Sequence, residues 1–191
     1  MNLKNTRDCY GIVAILVHWL TALVVFGLFA MGLWMTDLSY YDPWYRTAPH
    51  YHKSVGILLA LLFGFRIIWR LINIQPELPA SVSIWEKHLA TVVHVGIYGL
   101  FLLLATSGYL ISTADGRSIE VFNWFEVPAT ITAIENQEDI AGDIHRYMAF
   151  ALLGLTVLHA LAALKHHFLD RDSTLKRMID PDLTKITKDS I

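Results

Sequence analysis

Four long blocks of apolar residues, separated by polar and charged stretches, dominate the pattern along the chain. They cover residues 10–35, 51–73, 88–113 and about 144–164. Because a helix needs about 20 mostly apolar residues to cross the hydrocarbon of a bilayer, each block is long enough to span it. The first and third blocks contain no Asp, Glu, Lys or Arg. The pattern predicts an all-α membrane protein, a bundle of four transmembrane helices.

Composition agrees with this prediction, since hydrophobic residues make up 54% of the chain and charged residues only 17%, outside the range of soluble domains. We expect one membrane domain over residues 1–191, with a short tail over 165–191. The connection 114–143 is strongly acidic, and its single cation is Arg117. The net charge of -2 lacks the excess of positive charge that binds nucleic acid. The partner expected around the spans is membrane lipid.

The distribution of Lys and Arg predicts the orientation, because cationic loops stay on the cytoplasmic side. With the amino terminus inside, only four of the 15 cations lie outside: Arg46, Lys53, Arg117 and Arg146. Lys185 and Lys188 in the tail belong to the larger group inside. We therefore expect both termini on the cytoplasmic side.

Apart from His88 at the edge of the third block, five of the nine histidines lie within the spans, where polar side chains are energetically costly and mark functional sites: His18, His52, His94, His145 and His159. The last two are fourteen residues apart, so they lie on one helix face within about 40° and about 21 Å apart along the axis. By depth, His52 is level with His145 near the outside, and His18 is level with His159. The sequence therefore predicts two imidazole pairs, one above the other.

Paired imidazoles on facing helices favour bis-histidine haem iron, which has no open coordination site and suits electron transfer. Zinc is less favoured because it normally requires four clustered ligands. An interhelical hydrogen bond explains a single intramembrane His well, but four at matched depths poorly. His94 is also near the level of His18 and His159, so it is open whether it replaces His18 as a ligand, contacts a haem propionate, lines a quinone pocket or is an ordinary core residue.

Cationic residues near the predicted inner end of the spans are candidates for contacts with haem propionates or a quinone headgroup. They are Arg66, Arg70, Lys165 and His166. Anchoring at the lipid interface is the alternative for His166. The pattern assigns no catalytic residue.

Several segments together resemble the bacterial cytochrome b561 family. They are Val17-His18-Trp19-Leu20, His52-Lys53-Ser54-Val55-Gly56, His94-Val95-Gly96-Ile97-Tyr98, the His145 to His159 spacing and Lys165-His166-His167-Phe168, within residues 12–178. The resemblance implies two b haems, one held by His18 and His159 toward the cytoplasm and one by His52 and His145 toward the periplasm. It also implies an inner-membrane protein that exchanges electrons with ubiquinone, and a similar member oxidises superoxide.

Three functional hypotheses follow. The first is electron transfer across the inner membrane between a periplasmic donor and ubiquinone; an enzyme of this kind would be an oxidoreductase of the superoxide:ubiquinone type. Superoxide is only one candidate donor, because the acidic connection disfavours an anion. The second is a haem-bearing anchor subunit that docks a separate periplasmic dehydrogenase or hydrogenase. The third is a proton or small-solute transporter that uses intramembrane His as relays.

Overall fold

Four long helices dominate the structure, a computed structural model that describes residues 2–77, 79, 81–132 and 134–180. They are α1 (Ile12–Thr36), α2 (Thr47–Ile72), α3 (Ile84–Thr113) and α4 (Gln137–Phe168). Each is long and apolar enough to cross a membrane. The prediction of an all-α protein with four spanning helices is confirmed. The end of the predicted tail, including Lys185 and Lys188, lies outside the described residues.

Large apolar side chains lie exposed along all four helices. Examples are Leu23 at 72%, Leu61 at 61%, Leu102 at 65% and Leu158 at 61% exposure. A protein that folds in water rarely leaves so many large apolar side chains uncovered. Lipid tails can cover such faces without cost, so these helices suit a bilayer.

Polar residues extend three of the helices at their amino-terminal ends beyond the predicted apolar blocks. The start of α3 is a capping box, because the backbone N–H and hydroxyl of Ser83 donate to Glu86 Oε2 at 2.9 and 2.7 Å. At the start of α4, Glu138 and Asp139 lie in the first turn, where carboxylates are stabilised by the helix dipole. Here Gln137 also donates to the Leu110 carbonyl at 2.9 Å. The apolar blocks predict the spans, and the helices themselves begin earlier, in turns that contain polar residues.

A small antiparallel hairpin interrupts the connection between α3 and α4. Strand β1 (Ile119–Val121) pairs with β2 (Phe125–Val127), with Ile119 opposite Val127. The turn places Phe122 and Asn123 at φ angles of 50° and 58°, as a type I′ turn requires. The hydroxyl of Ser54 holds the hairpin against α2, since it donates to Glu120 O at 3.3 Å and accepts from Phe122 N at 3.1 Å.

The chain divides into two compact units. The first unit consists of the described parts of Met1–Ala22, Leu62–Val95 and Leu155–Ile191. The second unit consists of the described parts of Leu23–Leu61 and Gly96–Gly154, including the hairpin. Each unit takes a segment from all four helices, and each contains one of the predicted histidine pairs. The single domain expected from the sequence stays a prediction.

Candidate functional site

The first unit brings three imidazoles together. His18 of α1 and His159 of α4 have ring centroids 6.4 Å apart, with planes inclined at 59°. His94 of α3 lies closer to His159, with 5.1 Å between the centroids. It also hydrogen-bonds the backbone of Ala90 one turn earlier. All three histidines that the sequence places at this depth therefore lie in one cluster.

Two arginines of α2 make this cluster positive. The Arg66 guanidinium donates to Nδ1 of His18 at 2.8 Å. Since a guanidinium only donates, Nδ1 of His18 accepts here, and a neutral ring then carries its proton on Nε2. Arg70 is exposed, and both arginines are near enough to His94 to interact with it electrostatically. Such a pair of guanidinium groups suits a carboxylate ligand.

The second unit contains the other pair. His52 of α2 and His145 of α4 have ring centroids 6.3 Å apart, with planes inclined at 71°. Nδ1 of His145 lies 3.0 Å from the Leu104 carbonyl and 3.3 Å from the Ser107 hydroxyl, both on α3. A carbonyl only accepts, so Nδ1 carries the proton, and Nε2 keeps its lone pair free for a metal.

Two glycines let the backbone approach these rings. A Cβ at Gly108 would lie 3.0 Å from Cε1 and 3.2 Å from Nδ1 of His145, and a Cβ at Gly32 would lie 3.4 Å from Cε1 of His52. Nδ1 of His52 is buried without a hydrogen-bond partner among the described residues. Sequence reasoning missed both glycines, although an isolated glycine within an apolar span is a sign of close backbone approach.

The ring separations fit bis-histidine ligation. Two imidazoles that bind one metal ion from opposite sides have centroids about 6.4 Å apart, because each metal–nitrogen bond is about 2.0 Å long and each centroid lies about 1.2 Å beyond its nitrogen. The pairs at 6.4 and 6.3 Å match this value, whereas the 5.1 Å between His94 and His159 is too short. The residues of both pairs therefore fit a haem iron.

A zinc site at the pairs lacks ligands. In the part of the chain that the structure describes, the one group of three metal-binding side chains with ligand atoms within 4.8 Å of one another is Glu86, His166 and Asp170. It contains none of the paired histidines. The ammonium of Lys165 lies 2.6 Å from Glu86 and 2.8 Å from Asp170, so these carboxylates already have a cation.

The predicted contact residue His166 faces carboxylates of its own chain. Its Nδ1 lies 2.9 Å from Oδ2 of both Asp170 and Asp172. Burial raises the pKa of Asp172, but hydrogen bonds from Thr174 and the nearby His166 outweigh this and lower it below its ordinary value. Asp172 is therefore a carboxylate at neutral pH. Asp170 lies four residues after His166, the spacing of neighbours on one helix face, whereas Asp172 lies further beyond the end of α4 and has no such spacing.

Comparisons with known proteins show which family the chain is similar to. The family described as prokaryotic cytochrome b561 matches residues 9–181. Cytochrome b561 homolog 2 of Escherichia coli (strain K12) is 48% identical over 94% of this chain and 95% of its own length. The probable superoxide oxidase CybB of Yersinia pestis is 32% identical over 89% and 95% of the two chains. Cytochrome b561 homolog 1 of Escherichia coli (strain K12) is 27% identical over 86% and 93%.

These matches cover nearly the whole chain, and its four helices of spanning length contain two histidine pairs that fit a haem iron. The chain therefore belongs to the prokaryotic cytochrome b561 family of haem-binding electron-transport proteins in bacterial membranes.

Proposed function

We propose that the protein carries electrons across the bacterial inner membrane from a periplasmic donor to ubiquinone by means of two b haems. His18 and His159 would hold one haem, and His52 and His145 the other. The observation that carries this proposal is the pair of ring separations, 6.4 and 6.3 Å. Both equal the spacing of two imidazoles on one iron. The excess of Lys and Arg on one side supports cytoplasmic termini.

The residues around each pair prepare the imidazoles for ligation. The Leu104 carbonyl holds the Nδ1 proton of His145, which directs Nε2 to the metal. Gly108 leaves the space that this ring occupies. A haem held by such a pair would supply a one-electron carrier, and two histidine ligands would favour electron transfer over oxygen binding.

In the first unit, Arg66 has two roles that exclude each other. While it donates to Nδ1 of His18, the proton on Nε2 blocks ligation through that atom. Iron binding therefore requires Arg66 to release His18. The guanidinium is then available, with Arg70, to bind the propionates or the quinone headgroup. His94 would stay beside His159 as a hydrogen-bonding neighbour, because its ring is too close for both to bind one iron from opposite sides.

Observations on the electron donor point in two directions. The superoxide oxidase name of the Yersinia relative supports superoxide. The acidic connection opposes it, and one of the four outer cations, Arg117, forms a salt bridge with Asp115. Hydrogen bonds from Arg117 also hold the pKa of Asp115 below its ordinary value, so the pair stays charged. This surface favours a second candidate function, a membrane anchor for a separate dehydrogenase or hydrogenase with a basic docking face.

Anaerobic mixing tests the acceptor and the donor together. We expect the fully reduced protein to be reoxidised by ubiquinone, with about one quinone consumed per chain because two one-electron carriers supply its two electrons. Haems that stay reduced would remove ubiquinone from the proposal. Superoxide alone should reduce the oxidised haems of a superoxide oxidase, and added salt should slow this by screening the anion. An anchor subunit would need its partner protein instead.

A further inference from the structure

The chain that follows α4 folds back onto the first unit. Residues 172–180, here called the strap, contain a short 3-10 turn at Lys176–Met178. At least three bonds hold the strap to other segments. Asp172 contacts His166 at 2.9 Å, the Arg177 guanidinium donates to Glu77 O at 2.6 Å, and Trp19 Nε1 donates to Met178 O at 2.6 Å. A single 3-10 turn is not stable by itself, so these contacts order the strap.

The surface that receives the strap is fixed independently of it. Asn5 Nδ2 donates to Ile74 O at 2.9 Å, and Glu77 N donates to Arg7 O at 2.9 Å. The carbonyl that accepts from Arg177 therefore belongs to a loop held by the amino-terminal segment. Two of the three strap bonds are exposed to water, which competes for them. The strap can thus detach while its receiving surface stays in place.

The strap also occupies groups beside the His18–His159 pair. Trp19 follows His18 in sequence, and their rings meet edge to face at 5.3 Å. Nδ1 of His166 is engaged by Asp170 and by Asp172 of the strap. When the strap is closed, it engages the indole N–H of Trp19 and competes for the imidazole of His166, a candidate contact for a quinone near the end of α4.

We propose that the strap is a gate over the first unit, and that it must lift to admit the ubiquinone headgroup. This inference rests on the proposed function, because ubiquinone is the reactant that the gate controls. Lifting releases the Trp19 indole and Nδ1 of His166 toward the reactant. A closed majority state raises the apparent KM for ubiquinone, since only the open fraction binds. Removing strap bonds therefore lowers KM.

The test compares two single variants of the full-length haem-loaded protein. Arg177→Ala removes the bond to Glu77 O and leaves in place the Trp19 indole and His166, the groups that the open strap offers to the reactant. The control, Lys176→Ala, removes the neighbouring cation of the same 3-10 turn and keeps the bond between Arg177 and Glu77. Since one such bond shifts the equilibrium by about two- to tenfold, Arg177→Ala should lower the KM for a short-chain ubiquinone at least about twofold. Amide exchange over residues 173–180 should rise with it, and haem content should stay unchanged.

The outcomes separate this proposal from the function on which it rests. If the wild-type protein does not react with ubiquinone, the proposed function and the gate both fail. If the wild type reacts, and the strap variant exchanges faster but keeps the KM of the control, the strap is no gate. Unchanged amide exchange would also overturn the proposal, because the bond from Arg177 would then not hold the segment closed.

Discussion

At the scale of single residues, the position of the proton on each imidazole decides whether the ring can bind iron. His145 is prepared for ligation, because a carbonyl fixes its Nδ1 proton. His18 is not yet prepared, because Arg66 donates to its Nδ1. If the pairs hold haems as we propose, the pair in the first unit must exchange a hydrogen bond, whereas His145 needs no such change.

Replacement of one axial histidine should remove one haem and spare the other. We expect His145→Ala to lose the haem of the second unit and His159→Ala to lose that of the first. Each variant should keep about half of the b-type absorbance, because a single remaining histidine binds the iron too weakly to retain the haem. His94→Ala is the matched control and should keep both haems. Redox titration identifies the haem that remains. Loss of neither haem in the His145 or His159 variant would refute the assigned pairs.

The residues that bear chemistry were easier to predict than those that position them. Histidines within apolar spans stand out in the sequence, because a polar side chain within the bilayer costs free energy and is retained mainly for function. The structure brings the predicted partners near each other. Their role as ligands stays a prediction. The Leu104 carbonyl that orients His145 has no side-chain signal. Arg66 was predicted near propionates, but its bond to His18 depends on helix packing that spacing alone does not give.

At the scale of elements, the hairpin depends on one buried hydroxyl. Ser54 is fully buried, and its hydroxyl donates to the carbonyl of Glu120 and accepts from the N–H of Phe122. Ser54→Ala leaves the Phe122 N–H without this acceptor, which costs about 1–3 kcal/mol. We expect faster amide exchange over residues 119–127 at an unchanged haem content.

Ser112→Ala is a suitable control for the hairpin, because the Ser112 hydroxyl donates to Gly108 O one turn earlier on its own helix. It should leave exchange over the hairpin as in the wild type. Equal exchange in the Ser54 and Ser112 variants would mean that the buried hydroxyl does not hold the hairpin. A fall in haem content for Ser54→Ala alone would instead assign the hydroxyl to the His52 site.

The spans were predictable because about 20 apolar residues have few alternatives to a membrane helix. The hairpin was not, since its strands have three residues each, too few for an alternating pattern to appear. The turn also lacks the Asn-Gly or Asp-Gly dipeptide from which such turns are usually predicted. Phe122 and Asn123 adopt the positive φ angles in its place. Here the contact with Ser54 decides the local structure.

At the scale of the whole molecule, the membrane class and the family follow from features distributed over the entire chain. Four helices of spanning length and a family match over residues 9–181 leave little of the sequence unexplained. Each compact unit contains one histidine pair. Two pairs with the same ring separation in one chain are the basis for proposing two haems, because a single haem would leave one pair of half-buried imidazoles without a function.

Haem quantified per chain, together with a reduced-minus-oxidised visible spectrum, tests this central claim most directly. Purified from haem-replete cells, the full-length protein should show a b-type spectrum and about two haems per chain. The haems should be extractable by acidic organic solvent, because the sequence has a single cysteine and hence no Cys-x-x-Cys-His attachment site. A colourless protein would contradict the whole account, and a stoichiometry of one haem would contradict the assignment of both pairs.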